Sequence, residues 1–422
     1  MKVTLAYGKQ DLDLLLPDSY DVTVIEPRYV RGVSDPVEAL KNALRSPVSS
    51  QPLSDMVKKT DTIGIVVNDI TRATPYRTIL PVLLNEMKDV PSNKITFFVA
   101  LGTHREDSEQ ELRGMLGDPI VDEYRIVQNN CIDRATQVKI GVTQFGNEIW
   151  INREFSECEL KLLTGFIEPH FFAGFSGGGK AVVPGMAGLQ TIMKNHSPMN
   201  MDDEKAIWGI TEGNPIWEEV HEAALMAGNS FLLNVALNKN QEITGVFAGD
   251  LTDAHKQGCK FVKNAAMVPV PRPFDIVVTS NSGYPLDLNL YQSVKGMSAA
   301  AQIVKMGGAI IVAADCWDGI PEHGLYGQIL RESKTPQELL EKVRNSGSGK
   351  QDQWQAHIQA KIQIKADVYV RSGNLTDGQI ESALLKPSHR IEETVDELIK
   401  RYGKSARICV LPEGPQTIPY LQ

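Results

Sequence analysis

A chain of 422 residues is too long for one core and long enough for two or three domains. Its formal charge of −9 argues against a nucleic-acid partner, which asks for a basic face, and an apolar share of 42% beside 23% charged residues is that of an ordinary globular protein. Five cysteines (Cys131, Cys158, Cys259, Cys316, Cys409), odd in number and without C-x-x-C spacing, suggest neither a disulfide framework nor a zinc ribbon and read as buried, reduced thiols. The opening Met1-Lys-Val-Thr-Leu-Ala-Tyr-Gly8 lacks a signal core and no run is long enough to span a bilayer, so the expectation is a cytoplasmic protein with no membrane partner.

Short β-branched runs alternate with amphipathic helical stretches, the signature of an α/β fold. Thr62–Asn68 reads as a buried strand ending in Asp69-Ile-Thr-Arg-Ala-Thr-Pro75, with a helix to follow. Lys94–Leu101 is a second strand, running into Gly102-Thr-His-Arg-Glu-Asp107, after which Ser108 and Glu111 have the spacing of a capping box. Both polar loops therefore lie at carboxyl ends of strands, the edge where open α/β sheets bind ligands.

Met267-Val-Pro-Val-Pro-Arg-Pro273 has three alternating prolines, which cannot donate to a sheet ladder, so it reads as an extended hinge rather than a central strand. Beyond it Phe274–Thr279 is a strand, Leu290–Met306 a helix and Ala309–Ala314 a strand, a second βαβ unit and hence a second domain. Ile391–Tyr402 has helical periodicity and Ala406–Leu411 strand character; the pattern leaves open which domain they join. Asn345–Lys350 is an ordinary flexible loop.

The segment Glu168–Pro198 gathers His170, the loop Gly174-Phe-Ser-Gly-Gly-Gly-Lys180 and His196. The loop nearly fits the phosphate-loop pattern, but Ala181 supplies no hydroxyl for magnesium and Pro184 falls where the first helical turn should run, which argues against an NTPase. A lysine behind three glycines also suits a solvated turn. The apolar Val182-Val-Pro-Gly185 beside Lys180 points instead to partial burial, which makes an amine easier to deprotonate and more nucleophilic.

His104, His170 and His196 all stand beside turn-forming or polar residues, where imidazole suits acid/base work. His221, His255, His323, His357 and His389 read as surface residues. On a helix, Tyr291 and Lys295 share a face with Gln292 beside them, a group able to grip a carboxylate or phosphate, or simply a surface patch. Asp69 and Arg72 have the same ambiguity, since Asp69 could merely bond its own turn. Phe171, Phe172 and Phe175 suggest an apolar wall, or packing.

Together these segments resemble the nickel-dependent lactate racemase family over nearly the whole chain. Asp69-x-Thr-Arg-x-x-Pro75, Gly102-Thr-His-Arg105, Glu168-Pro-His through Lys180, Asn195-His196 and Tyr291-Gln-x-x-Lys295 occur in that family's order and spacing. The resemblance implies a nickel-pincer nucleotide, a pyridinium mononucleotide whose two thiocarboxyl groups hold Ni(II), attached covalently through Lys180 with His196 as a nickel ligand. It implies His104 and His170 as the two acid/base residues of a racemase or epimerase that inverts a 2-hydroxy acid by hydride transfer to and from that nucleotide. Arg72, Tyr291, Gln292 and Lys295 match substrate-holding positions. Asp69, Ile70, Thr71 and Arg72, with Leu101, Gly102 and Thr103, match parts of the cofactor site, and Trp354 matches a tryptophan near it. Cofactor-synthesis enzymes are implied as loading partners.

The family's fold has two α/β domains with the active site in the cleft between them. It places residues 1–268, rejoined by about 391–422, in an N-terminal catalytic domain and 274–390 in a C-terminal domain supplying substrate contacts. Two other readings suit the residues: a zinc hydrolase liganded by His104, His170 and His196, weakened by the lack of H-E-x-x-H spacing, and a non-catalytic nucleotide- or cofactor-binding protein.

Overall fold

The computed structural model describes residues 1–322, 324–347 and 349–422. Two six-stranded sheets organise it. Their strands, in chain order, are β1 (Asp21–Val24), β2 (Ile63–Asn68), β3 (Ile95–Ala100), β4 (Arg125–Gln128), β5 (Leu160–Phe166), β6 (Ser230–Leu237), β7 (Ile243–Gly249), β8 (Phe274–Ser280), β9 (Val304–Ala313), β10 (Ala366–Arg371), β11 (Lys386–Pro387) and β12 (Arg407–Leu411). One sheet runs β7-β6-β5-β2-β3-β4, parallel except for β7 against β6; the other runs β11-β10-β9-β8-β12-β1, parallel throughout. The chain accordingly forms two compact α/β units, one of Tyr29–His196 with Asp203–Asn264, the other of Met1–Arg28, Ser197–Asp202 and Ala265–Gln422.

In the first unit the central strands are apolar on both faces, as parallel strands covered by helices must be: Ile63–Val67 is buried without a break. Ile65, Val67, Phe97, Leu162 and Leu233 pack with Ile79, Leu80 and Leu83 of the helix Tyr76–Glu86 that follows β2. The capping box forms as expected, with Ser108 and Glu111 opening the helix Glu109–Leu116. Because β5, β2 and β3 are parallel neighbours, the loops that leave their carboxyl ends share one sheet edge.

In the second unit Ile276, Val278, Ile311, Ile408 and Val410 form a core with Val395 and Leu398 of the helix Ile391–Tyr402 and with Leu5 and Leu14 of an N-terminal hairpin. This overturns the return of residues 391–422 to the N-terminal domain. Arg407–Leu411 is inserted between Phe274–Ser280 and Asp21–Val24, because a strand buried over Ile408–Leu411 needs a partner on each side. Residues 1–28, assigned by the sequence to the first domain, belong to this unit as well: Asp21–Val24 is the edge strand that pairs with Arg407–Leu411, and Lys2–Tyr7 with Gln10–Leu15 forms a separate hairpin.

The helix expected over Leu290–Met306 stops at Ala301. β-Branched Ile303 and Val304 lead into a strand, and Gly307 at φ +74° turns in a conformation other residues avoid. The proline segment is extended but paired: Met267–Val270 lies parallel to Ile418–Leu421 in a two-stranded ladder outside both large sheets. Among the described residues no helix is long and apolar enough to cross a membrane. Four cysteines are buried and Cys158 half-buried, all free thiols.

Candidate active site

Three loops at the shared edge of the first unit carry the chemistry-bearing residues. After β2, Asp69 is buried and its Oδ1 accepts from the Thr71 N–H at 3.2 Å and the Thr71 hydroxyl at 2.6 Å. Its Oδ2 accepts a hydrogen bond from His104 Nδ1, which arrives on the loop after β3. Burial is the largest influence on the Asp69 carboxyl and would raise its pKa; His104, Arg72 and Thr71 together outweigh it and hold the group at about 2. Asp69 is thus a carboxylate that fixes the His104 ring and places its proton on Nδ1, leaving Nε2 as the basic nitrogen.

The same loops are tied to their neighbours. Ile70 N–H donates to Asp107 Oδ2 at 3.3 Å, and burial plus the Asp69 charge push the Asp107 carboxyl up to about 6. Leu101 and Gly102 are buried; Gly102 N–H donates to the Gly185 carbonyl at 3.1 Å, so the His104 loop rests on the segment just after Lys180. Arg72 Nη1 lies 3.8 Å from Glu168 Oε1, which joins the loop after β2 to the loop after β5.

That third loop begins at Ile167. His170 is buried, and its Nδ1 accepts the Ala173 N–H at 3.2 Å. A ring whose Nδ1 is an acceptor carries its proton on Nε2. Phe172 brings three reactive groups together: its ring meets His170 edge-on at 4.5 Å and His196 edge-on at 5.0 Å, and Lys180 Nζ lies 5.6 Å from its centre. Lys180 sits in the 3-10 turn Gly178–Ala181 rather than at the start of an α-helix, in keeping with the rejected phosphate loop. His196 closes the helix Leu189–Asn195 and is buried; burial first, then the Lys180 charge, lowers its pKa to about 3 and keeps it neutral.

The second unit holds the remaining candidates. Asn289 caps the helix Leu290–Ala301 by accepting the Gln292 N–H at 3.0 Å, which puts half-buried Tyr291, Gln292 and Lys295 in its first two turns. Trp354 Nε1–H donates to the Tyr291 hydroxyl at 3.0 Å, so Trp354 and Tyr291 form one group, and Tyr326 packs edge-on against Tyr291 at 5.4 Å.

Residues 7–209 match the lactate racemase N-terminal domain, and residues 270–418 match the lactate racemase C-terminal domain. The chain belongs to the lactate racemase family. It is 35% identical over 422 residues to the lactate racemase of Thermoanaerobacterium thermosaccharolyticum, covering 99% of this chain and 98% of that one. It is 37% identical over 380 residues to that of Lactiplantibacillus plantarum, with 89% of each covered. The lactate racemase apoprotein structure from T. thermosaccharolyticum superposes with a TM-score of 0.92 at 34% identity, over 99% of this chain and all (100%) of that one. A Thermotoga maritima structure shares the fold at TM-score 0.72 and 17% identity, over 93% of this chain and 100% of its own. As a member of the lactate racemase family the chain is an isomerase of the racemase class.

Of the histidines set aside as surface residues, only His389 is well exposed; His221 is half-buried, His255 and His357 are buried, and His323 lies outside the described residues. A signal for His255 was present: Leu251, Ala254, His255, Gly258, Cys259 and Val262 recur at helical spacing and form the buried face of Leu251–Ala266. Phe172 had none, since three phenylalanines in five residues do not say which one faces the histidines. Among the described residues no three His, Cys, Asp or Glu side chains gather as a metal-ligand set.

Proposed function

We propose that the chain is a nickel-pincer-dependent 2-hydroxyacid racemase acting on a small lactate-like acid, with His104 and His170 as its acid/base pair. One observation carries the reading: the two imidazoles are held in opposite hydrogen-bonding polarity. The Asp69 carboxylate accepts a hydrogen bond from Nδ1–H of His104, which makes Nε2 the acceptor nitrogen of that ring; the Ala173 N–H donates to Nδ1 of His170, which makes Nε2–H the donor of that one. Inversion of a hydroxylated carbon needs one group to take the hydroxyl proton and another to return one, and this pair starts with one of each.

The residues present fit the nucleotide. Lys180 offers an amine for a covalent link, and His196, buried and kept neutral, offers the unprotonated imidazole that a metal requires, with both set against Phe172. When bound, that group supplies the acceptor and donor for the α-hydrogen as hydride. Asp69 orients His104, buried Phe171 and Phe172 exclude water from the His170 face, and Arg72, Gln292 and Lys295 are assigned to the substrate carboxylate and hydroxyl. Cofactor-synthesis enzymes would be the partners that load the chain, in the cytoplasm.

The test is to produce the protein in a host that makes the cofactor and to measure intact mass, nickel and racemisation of L- and D-lactate. A nucleotide-sized adduct on Lys180 with about one nickel per chain, and α-deuterated lactate that racemises without losing its label to water, is the expected result. An unmodified Lys180 in a host that loads a known racemase defeats the cofactor assignment, and wash-out of the α-label defeats hydride transfer.

A further inference from the structure

Beneath the attachment loop lies a buried histidine that the proposed chemistry does not use. His255, on the helix Leu251–Ala266, is 2% exposed, and its Nε2–H donates to the Ser176 carbonyl at 2.9 Å. Its ring also fills the space under Gly178: at φ +55° a side-chain carbon added there would lie 2.7 Å from the imidazole. From the strand β6, buried Asn234 Oδ1 accepts the Gly178 N–H at 2.8 Å. The backbone is therefore held at Ser176 and at Gly178, on both sides of Gly177, and the Gly177 carbonyl in turn accepts the Lys180 N–H at 3.2 Å.

We propose that His255 is a positioning residue for Lys180: through Ser176 and Gly178 it sets the path of the glycine turn and so the direction in which the Lys180 side chain leaves the backbone. The inference rests on Lys180 being the attachment point. An apolar residue at 255 would satisfy the neighbouring Cys259 thiol, 3.5 Å from the imidazole, as a packing partner. It would leave the Ser176 carbonyl without this donor, and three glycines in a row have too much conformational freedom to hold a turn unaided.

The experiment compares wild type with His255→Phe, which keeps a ring and removes the N–H, and His255→Gln, whose amide N–H reaches as far as imidazole Nε2. Each chain is produced without the cofactor, checked for a cooperative thermal transition, and acetylated with dilute acetic anhydride, the Lys180 rate being read by peptide mass spectrometry relative to Lys41 and Lys400. Loading in a cofactor-producing host is then followed by intact mass. For His255→Phe, loss of one buried hydrogen-bond partner should slow loading roughly tenfold while the released Lys180 acetylates roughly tenfold faster against the reference lysines. His255→Gln should restore both to within about threefold of wild type.

General loosening would raise all lysines together and leave the ratio unchanged, which overturns the proposal. So does a Phe variant that loads like wild type, or a Gln variant that fails as Phe does. If His255→Phe does not fold, His255→Met read against His255→Gln decides the same point. If wild type itself takes no cofactor, the reading of Lys180 as attachment point fails, while the acetylation ratio still judges whether His255 directs the side chain.

Discussion

The two sheets of this molecule have the same strand number and almost the same parallel layout, yet they use their carboxyl edges differently. In the first unit the edge loops engage one ring nitrogen of each histidine, Nδ1 of His104 on Asp69 and Nδ1 of His170 on Ala173, and the proposed acid/base chemistry falls to the other. In the second unit the edge loops after β8 and β9 bond to one another. Asp287, fully buried, accepts the N–H groups of Gly8 at 2.7 Å and Asp315 at 3.0 Å, and Asn281 Oδ1 accepts the Gly296 N–H at 2.9 Å. A carboxyl-end loop is thus a place where chemistry can be built rather than a sign that it has been. The difference is the imidazole, the one side chain here that can serve as both an anchored and a proton-exchanging group.

The contrast can be broken most severely at the first edge. Lys180→Ala should abolish covalent cofactor and racemisation while leaving the far-ultraviolet spectrum and melting transition intact; adduct retained on that variant would show that attachment lies elsewhere. His104→Gln and His170→Gln should each lower kcat by roughly a hundredfold to ten-thousandfold, the range of acid/base catalysis, with cofactor content unchanged.

Asp69→Asn should cost less, about a hundredfold in kcat, because the imidazole stays but loses the anion that orients it and supports its positive charge. Its pH behaviour sharpens the point. The Asp69 carboxyl is held at about 2 in the folded protein against 3.8 ordinarily, so its contribution to stability is fully present above pH 3.8 and is lost as pH falls through 2. The stability gap between wild type and Asp69→Asn should therefore narrow over that window in urea titrations. A gap independent of pH there would mean that the charge on Asp69 contributes nothing.

At the second edge the prediction is reversed in kind. Asp287→Ala should destabilise the chain by about 2 kcal/mol, since it leaves two backbone N–H groups without their acceptor, and should leave kcat of the folded enzyme within about twofold of wild type. A large fall in kcat with unchanged stability would show that Asp287 itself takes part in the reaction. Smallest of all, Tyr291→Phe removes the acceptor for Trp354 Nε1–H and should cost about 1 kcal/mol of stability, with a KM change of a few-fold if Tyr291 lines the substrate region.

Much of this was legible before any coordinates. Ile63–Asn68 and Ile95–Ala100 announce themselves as buried strands because each is a short apolar run closed by a polar loop, and Ile391–Tyr402 shows itself as a helix because its apolar residues recur every three or four positions. The family was legible too, because imidazoles and a lysine beside glycines and prolines are unusual company and five such segments in order resemble one family. What failed was allegiance. Nothing local to Arg407–Leu411 or Asp21–Val24 says which sheet they enter, since a strand's partners lie hundreds of residues away and any apolar strand can pair with any other.

The sequence by itself determined which elements form, where the reactive side chains sit along the chain, and the family to which they belong, because periodicity, turn chemistry and residue type are local properties. Only the tertiary structure decided that the two terminal segments share a sheet with Phe274–Ser280, that Phe172 is the phenylalanine touching His170, His196 and Lys180, that His255 lies beneath the glycine turn, and that His104 and His170 are held in opposite hydrogen-bonding polarity. Those outcomes depend on which distant backbone and side-chain groups end up within about 3 to 6 Å of one another, and such distances exist only once the strands have paired and the helices have packed.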